Sequence, residues 1–342
     1  MIEGQTNVRS IRLGPGSARR IGAELGRFAV TTMDLPWQLA RGLLGADPEC
    51  VVMVDSMELD VVERQAAGIP TVDAVVAVGG GQAIDLGKYV AWRRGFRLVT
   101  IPTILSVDAF VTPAAAVREG HRVKYVGAAS PDPLVIDYDL IRTAPRDLNV
   151  AGAGDLLSIH TACFDWEIAE RAGRSEYRFA PADVATARAV LAAILDGADT
   201  IRRCTDDGLR LLVEGYMRIN TICLPAGHYR VEEGSEHYLF YALEEQLGRA
   251  FVHGNIVGLG IYLMSRLQHN SPEIITACMD RIGLQYQPAN LGISRPELAS
   301  ALSGLRSYIE TRPDLWYTII DEREIEPEWI DETLAPLRFS VR

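Results

Sequence analysis

The sequence predicts an α/β half followed by an all-helical half, and three observations carry that expectation. Up to about residue 150, short valine-rich runs alternate with stretches of helical spacing. Past Asn149 the apolar spacing becomes helical throughout and convincing strands stop. The chain is 342 residues long, about twice a typical domain. We therefore expect an open parallel sheet over residues 1–150 and a helical domain over 151–342.

The runs Phe28–Thr32, Val51–Val54, Ala74–Val78 and Arg97–Ile101 each end in a turn signal, as strands buried on both faces of a parallel sheet do. Between them, Ser17–Leu25, Leu35–Leu44, Glu58–Ala67 and Ile84–Arg93 read as helices, which completes a βαβα alternation. In the second half, helices are expected over Gly154–Ala172, Ala182–Arg203, Gly208–Leu224, Glu236–Leu247 and Asn255–Gln268.

The net charge of −11, from 45 acidic against 34 basic residues, is repelled by phosphate backbones and anionic lipid. No cationic cluster offsets it, so a nucleic-acid partner is not expected. Five scattered cysteines without a CxxC pair read as thiols of a reducing compartment. There is no apolar run of about 18 residues, and the N-terminal stretch lacks the basic and apolar regions of a secretory signal. These features point to a cytoplasmic protein without membrane insertion, acting on a small molecule. Only Lys88 and Lys124 are lysines, a bias towards arginine that fits a GC-rich genome. It leaves two positions where a compact ammonium stands in place of a guanidinium.

The sharpest local signal is the strand Ala74–Val78 running into Gly79, Gly80 and Gly81, with a helix from about Ala83. Three glycines let the backbone approach a ligand, and the exposed N–H groups of a helix start favour an anion such as a pyrophosphate. The alternative is a tight strand–helix turn that binds nothing. After the next strand come Thr100, Thr103, Ser106 and Asp108, at the end of the sheet where ligands sit in such folds. Ordinary loop and capping chemistry explains them equally well.

In the helical half, Asp155, His237 and His253 make a carboxylate-plus-two-imidazole set that suits zinc or iron. Spacing alone does not select them. Asp155 also reads as a helix N-cap, and His121, His160, His228 and His269 compete.

Taken in order, GGGQAIDLGK, IPTILSVDA, AGAGDLL, GSEH and HGNIVGLG resemble the metal-dependent alcohol and polyol dehydrogenases. That superfamily includes iron-containing alcohol dehydrogenase, glycerol dehydrogenase and sn-glycerol-1-phosphate dehydrogenase. The similarity runs from GPGSARRIG to RPDLWYTIIDE and is nearest to the glycerol-1-phosphate branch. It implies a Rossmann-like sheet domain followed by the helical domain, as in dehydroquinate synthase. It further implies an NAD or NADP cofactor whose pyrophosphate is held by Gly79, Gly80, Gly81, Gln82, Ala83, Ile84 and Asp85. Thr103, Ser106 and Thr112 would line the diphosphate and ribose, and Asp34 would favour NAD through the adenosine ribose. One divalent metal, zinc in this branch and iron or nickel in relatives, would sit on Asp155, His237 and His253. Asp108, Asp155 and Tyr241 would face the substrate, first of all glycerol 1-phosphate or dihydroxyacetone phosphate. A homo-oligomer is also implied.

The chain departs from that branch at two places. Tyr241 stands where the branch has a histidine one turn after the first metal histidine, and Ile159-His160 stands where it tends to have Lys-Tyr. The second change removes a cation that would answer a phosphate, for which Arg230, Lys124 or His160 are the candidate replacements. Another hydroxy compound, such as glycerol, is therefore an alternative substrate. A dehydroquinate synthase-like cyclase is a further alternative, set against a near absence of lysine. A non-catalytic metabolite-binding descendant is the third, although no candidate metal ligand is missing.

Overall fold

In the computed structural model, which describes residues 7–120 and 122–340, the chain divides into two units, one ending at Asn149 and the other beginning at Val150.

The first unit holds strands β1 (Ile11–Leu13), β2 (Phe28–Thr32), β3 (Cys50–Met53), β4 (Ala74–Gly79), β5 (Arg97–Pro102), β6 (Ala115–Glu119), β7 (Arg122–Val126) and β8 (Pro131–Ile136). Six of them form a sheet ordered β1-β8-β5-β4-β2-β3, every pair parallel, while β6 and β7 make a separate antiparallel pair. Helices α1 (Asp34–Ala40), α2 (Leu59–Gly68), α3 (Gly81–Arg94), α4 (Tyr138–Ile141) and α5 (Arg146–Val150) accompany the strands. All six residues of β4 are buried, which is why it reads as an unbroken apolar run. Alternate residues Phe28, Val30, Val76, Val78, Val99, Ile101 and Val135 meet Ile21, Leu25, Ala40 and Leu44 in one core cluster. β3 lies on one side of β2 and β5 on the other side of β4, so the strand order switches between β2 and β4. In open parallel sheets such a switch point opens a crevice at the C-terminal strand ends.

Two expectations needed correction here. Ser17–Leu25 is not an α-helix: it runs as turns into a short 3-10 segment, Ile21–Glu24, because Arg20 takes a left-handed φ of 64° that a continuous helix excludes. The strands β1, β6, β7 and β8 were not anticipated at all.

The second unit contains α6 (Ala153–Arg171), α7 (Pro181–Asp196), α8 (Ala198–Arg202), α9 (Asp206–Ala226), α10 (Ser235–Leu247), α11 (His253–Gln268), α12 (Pro272–Ile282), α13 (Pro288–Leu291), α14 (Arg295–Glu310), α15 (Ile319–Glu322) and α16 (Pro327–Leu334), with no strand among the described residues. The expected helix Ala182–Arg203 is two, broken at Gly197. No helix among the described residues is long and apolar enough to cross a membrane.

The central helices α6 and α11 are buried along most of their length. Side chains such as Leu156, Leu157 and Trp166 each contribute about 1.5–3 kcal/mol of burial. The first turns of α6 and α11 meet backbone on backbone. A Cβ on Gly254 would stand 1.7 Å from the Ala151 carbonyl oxygen, and one on Gly154 would stand 2.1 Å from the Gly254 oxygen. Gly254→Ala is therefore expected to lower stability by about 3 kcal/mol through overpacking that main chain cannot relieve. Urea unfolding followed by circular dichroism measures it, and a loss below about 0.5 kcal/mol, the range of ordinary surface substitutions, would contradict so close a crossing.

Candidate metal centre and nucleotide cradle

Asp155 lies in the first turn of α6, His237 in the first turn of α10, and His253 opens α11. One donor atom from each lies within 4.8 Å of the other two. Nε2 of His253 stands 3.0 Å from Asp155 Oδ1, without hydrogen-bond alignment, and the two imidazole rings are 5.3 Å apart. Asp155 is buried; among the described residues its Oδ1 has no hydrogen-bond partner and its Oδ2 meets the Tyr216 hydroxyl alone, at 3.4 Å. A carboxylate oxygen in that condition carries a desolvation cost of about 1–3 kcal/mol or more unless a cation meets it. On this observation the three residues fit a divalent metal, and one carboxylate with two imidazoles is a donor set that suits zinc or iron.

Glu236, fully buried, accepts at Oε1 from the Gly234 N–H (2.7 Å) and faces Nδ1 of His237 at 2.9 Å. Engaging Nδ1 leaves Nε2 of His237 as the ring nitrogen able to serve as a ligand. Burial works against the charged imidazole. The Glu236 hydrogen bond and the charges of Glu236, Glu233 and Asp155 outweigh it and raise the His237 pKa to about 9. Glu236→Gln is expected to weaken metal affinity about tenfold by removing the charge while keeping an acceptor. Competition with a chromophoric chelator measures this, and unchanged affinity would mean Glu236 does not tune the imidazole.

Asp165 fastens the start of α10 from below. Its Oδ2 accepts from the Ser235 N–H (2.8 Å), and its Oδ1 accepts from Ile319 N–H (2.9 Å) and Gln268 Nε2 (3.0 Å). Burial, and then the charge of Glu236, push its carboxyl up to about 6. Beside the trio, Phe240 sits edge-on to His253 at 4.8 Å, and Tyr241 adjoins both Phe240 and His237.

The competing histidines are engaged elsewhere. His160 Nε2 is 2.6 Å from the Asn270 carbonyl, His228 stacks on Tyr177, and His269 caps α11 in a left-handed conformation; His121 lies outside the described residues. Ile159 is fully buried, Lys124 pairs with Glu119, and Arg230 lies buried against Tyr317, Trp316 and Asp165.

In the first unit, Gly79 ends β4 at φ 147°, where a Cβ would lie 2.8 Å from that of Ala83. The first turn of α3 carries neither a side-chain cap nor an acidic residue, so its N–H groups suit an anion. Thr103 N–H donates to the Gly79 carbonyl, which ties the end of β5 to the glycine step. Gln82 is exposed, Ala83, Ile84 and Ser106 are buried, and Asp34 opens α1 just beyond β2. Asp85 points inward to Lys88 rather than to the cradle, and Lys88 in turn reaches Thr112. Asp108 begins a short 3-10 segment beyond β5. Glu233, Glu236 and Asp165 escaped the sequence reading. The acidic run Glu232-Glu233-Gly234-Ser235-Glu236 ahead of His237 was the available signal for the first two.

A family model described as iron-containing alcohol dehydrogenase matches residues 31–145. A glycerol-1-phosphate dehydrogenase [NAD(P)+] of Hyperthermus butylicus is 33% identical over 250 residues, covering 72% of this chain and 69% of that protein. Its counterpart from Aeropyrum pernix is 31% identical over 259 residues, covering 75% and 71%. Among solved structures, an iron-containing alcohol dehydrogenase from Corynebacterium glutamicum superposes with a TM-score of 0.73 at 15% identity, covering 98% of this chain and 96% of that one. A probable glycerol dehydrogenase from Sinorhizobium meliloti gives 0.69 at 23% identity, covering 96% of each. At such identities these two structures speak to the fold.

Proposed function

Since the chain belongs to the iron-containing alcohol dehydrogenase family and is related within it to the glycerol-1-phosphate dehydrogenases, we propose that it is a metal-dependent, NAD(P)-linked dehydrogenase interconverting a small polyol, or its phosphate, with the corresponding ketone. The observation that carries this reading is the convergence of Asp155, His237 and His253 around an unpartnered buried carboxylate oxygen.

Asp155, His237 and His253 would hold the metal, zinc in the first instance and iron or nickel as alternatives. Gly79, Gly80 and Gly81 with the first turn of α3 would receive the pyrophosphate of NAD(P), and Thr103, Ser106 and Thr112 would line its diphosphate and ribose. A carboxylate at Asp34 accepts from ribose hydroxyls and repels a 2′-phosphate, which favours NAD. When bound, the metal supplies Lewis acidity towards the substrate oxygen and NAD(P) accepts or returns the hydride.

The chain's own residues set the conditions for that chemistry. Glu236 holds His237 in one tautomer. The first turns of α6, α10 and α11 all open at the centre, and their N–H dipoles favour negative charge developing on a substrate oxygen there. Phe240 shields His253 from water on one side. Asp108 is the candidate to accept a substrate hydroxyl.

The test is ketone reduction by zinc-loaded protein, followed as loss of NADH absorbance. Dihydroxyacetone phosphate and dihydroxyacetone serve as substrates, with metal-stripped protein alongside. Turnover that vanishes on stripping and returns with metal is expected. Retention of metal and NADH without turnover of any substrate would overturn the reading.

A further inference from the structure

We propose that Glu233, held by Tyr241, determines substrate specificity: it receives a hydroxyl or ammonium donor on the substrate and disfavours a phosphate at that place. The inference deepens the dehydrogenase reading and rests on it for the position of the reacting carbon.

Tyr241 lies one turn beyond His237 on α10, with ring centroids 6.3 Å apart. Its hydroxyl donates to Glu233 Oε1 at 2.5 Å. Glu233 is fixed from behind by its own N–H, which donates to the Tyr229 carbonyl at 2.8 Å. Glu233 and Tyr241 are half-buried, whereas their neighbours Gly234, Ser235, Glu236, Tyr238 and Phe240 are buried. The pair therefore forms an accessible edge beside a closed centre. The tyrosine proton occupies one carboxylate oxygen. The other, Oε2, has no protein partner among the described residues and is left as an acceptor.

Charge decides what such an acceptor selects. The charges acting most strongly on His237 are all carboxylates: Glu236, Glu233 and Asp155. A divalent ion offsets two of these three charges and leaves no positive surplus for a phosphate dianion. The arginines of this unit that flank α10 in the chain or pack near it are committed elsewhere. Arg230 bonds the Tyr317 carbonyl, Arg249 the carbonyls of Leu291 and Gly292, and Arg312 pairs with Glu245. A carboxylate facing a phosphate is repulsive, whereas the same carboxylate facing O–H or N–H⁺ forms a charge-assisted hydrogen bond.

Two measurements on the zinc-loaded full chain test this. Calorimetric titration compares the amino diol 2-amino-1,3-propanediol with inorganic phosphate, and steady-state kinetics compares dihydroxyacetone with dihydroxyacetone phosphate. The amino diol is expected to bind at least about tenfold more tightly than phosphate, and the unphosphorylated ketone to show a kcat/KM about tenfold higher. Glu233→Gln should shrink both ratios about tenfold, through KM rather than kcat, and Tyr241→Phe should shift them less in the same direction. Phosphate binding as tightly as the amino diol, or ratios unmoved by Glu233→Gln, would overturn the proposal. If neither ketone turns over but the binding preference appears and falls in Glu233→Gln, the dehydrogenase reading fails and the recognition by Glu233 stands.

Discussion

Asp155→Asn is expected to cut kcat/KM about 1000-fold, equivalent to about 4 kcal/mol of transition-state stabilisation. The substitution keeps the shape of the side chain and removes the anionic donor. Two neutral imidazoles remain, a set too weak in charge to retain a hard divalent ion at a three-ligand site. The fold should not suffer, because among the described residues Asp155 Oδ1 has no hydrogen bond to lose and Oδ2 has a single long one. Relief of a buried carboxylate is set against the lost charge contacts with His237 and His253, so the unliganded protein should stay within about 1 kcal/mol of the parent. Metal content by atomic emission and thermal unfolding separate the two effects. Full metal occupancy with activity within tenfold of the parent would remove Asp155 from the centre.

The second large effect lies in the sheet unit. Lys88→Met is expected to destabilise it by about 3–5 kcal/mol, the cost of breaking one side of a buried ion pair. Lys88 is 1% exposed, and its Nζ stands 2.8 Å from Asp85 Oδ1, in a geometry closer to ion pairing than to an aligned hydrogen bond. It also donates to the Ala114 carbonyl at 2.5 Å and approaches the carbonyl and hydroxyl of Thr112 at 3.3 and 3.4 Å. One ammonium thus joins α3 to the segment entering β6. Arginine is no substitute, since a planar guanidinium does not fit a closed site built for a compact charge.

Burial pushes the Asp85 carboxyl up, and the charge of Lys88 opposes it. Without Lys88 that pKa rises further. An acid whose folded pKa is raised loses stability as pH rises through that value, so the deficit of Lys88→Met should grow with pH and shrink on the acid side. Guanidinium unfolding across pH checks the sign. The double variant Asp85→Leu with Lys88→Met should recover most of the loss, and a single-variant loss below about 1 kcal/mol would mean the pair is not the tie. A looser Thr112 should also raise the KM for NAD(P).

What could be read from the sequence follows burial. β2, β4 and β5 announce themselves as apolar runs because both faces of the sheet are covered there, while the edge strand β3 reads as one although it is only half-buried. β1 has three residues with Ile11 and Leu13 exposed, β8 carries two prolines, β6 buries only Ala115 and Val117 before running into Arg118 and Glu119, and β7 mixes charge with half-buried valines. Each is too short, or too broken by proline or charge, to show an apolar period over the roughly four to eight residues that mark a strand. At the centre, Asp155, His237 and His253 were legible as chemical types and as motif positions. Their meeting was not, because it depends on α6 and α11 crossing without a Cβ between them, which residue spacing does not encode. Glu233 was passed over because an acidic residue in a loop reads as solvated until its neighbours are known.

The contact between Gly154 and Gly254 has a consequence for how the ion comes and goes. Where small zinc domains fold only around their metal, ion and fold form a single equilibrium. Here main chain sets the spacing of α6 and α11, so an ion held by Asp155 and His253 would not be needed to bring those two helices together. Stripping should therefore be reversible without unfolding, and exchange should proceed at the rate of ligand release.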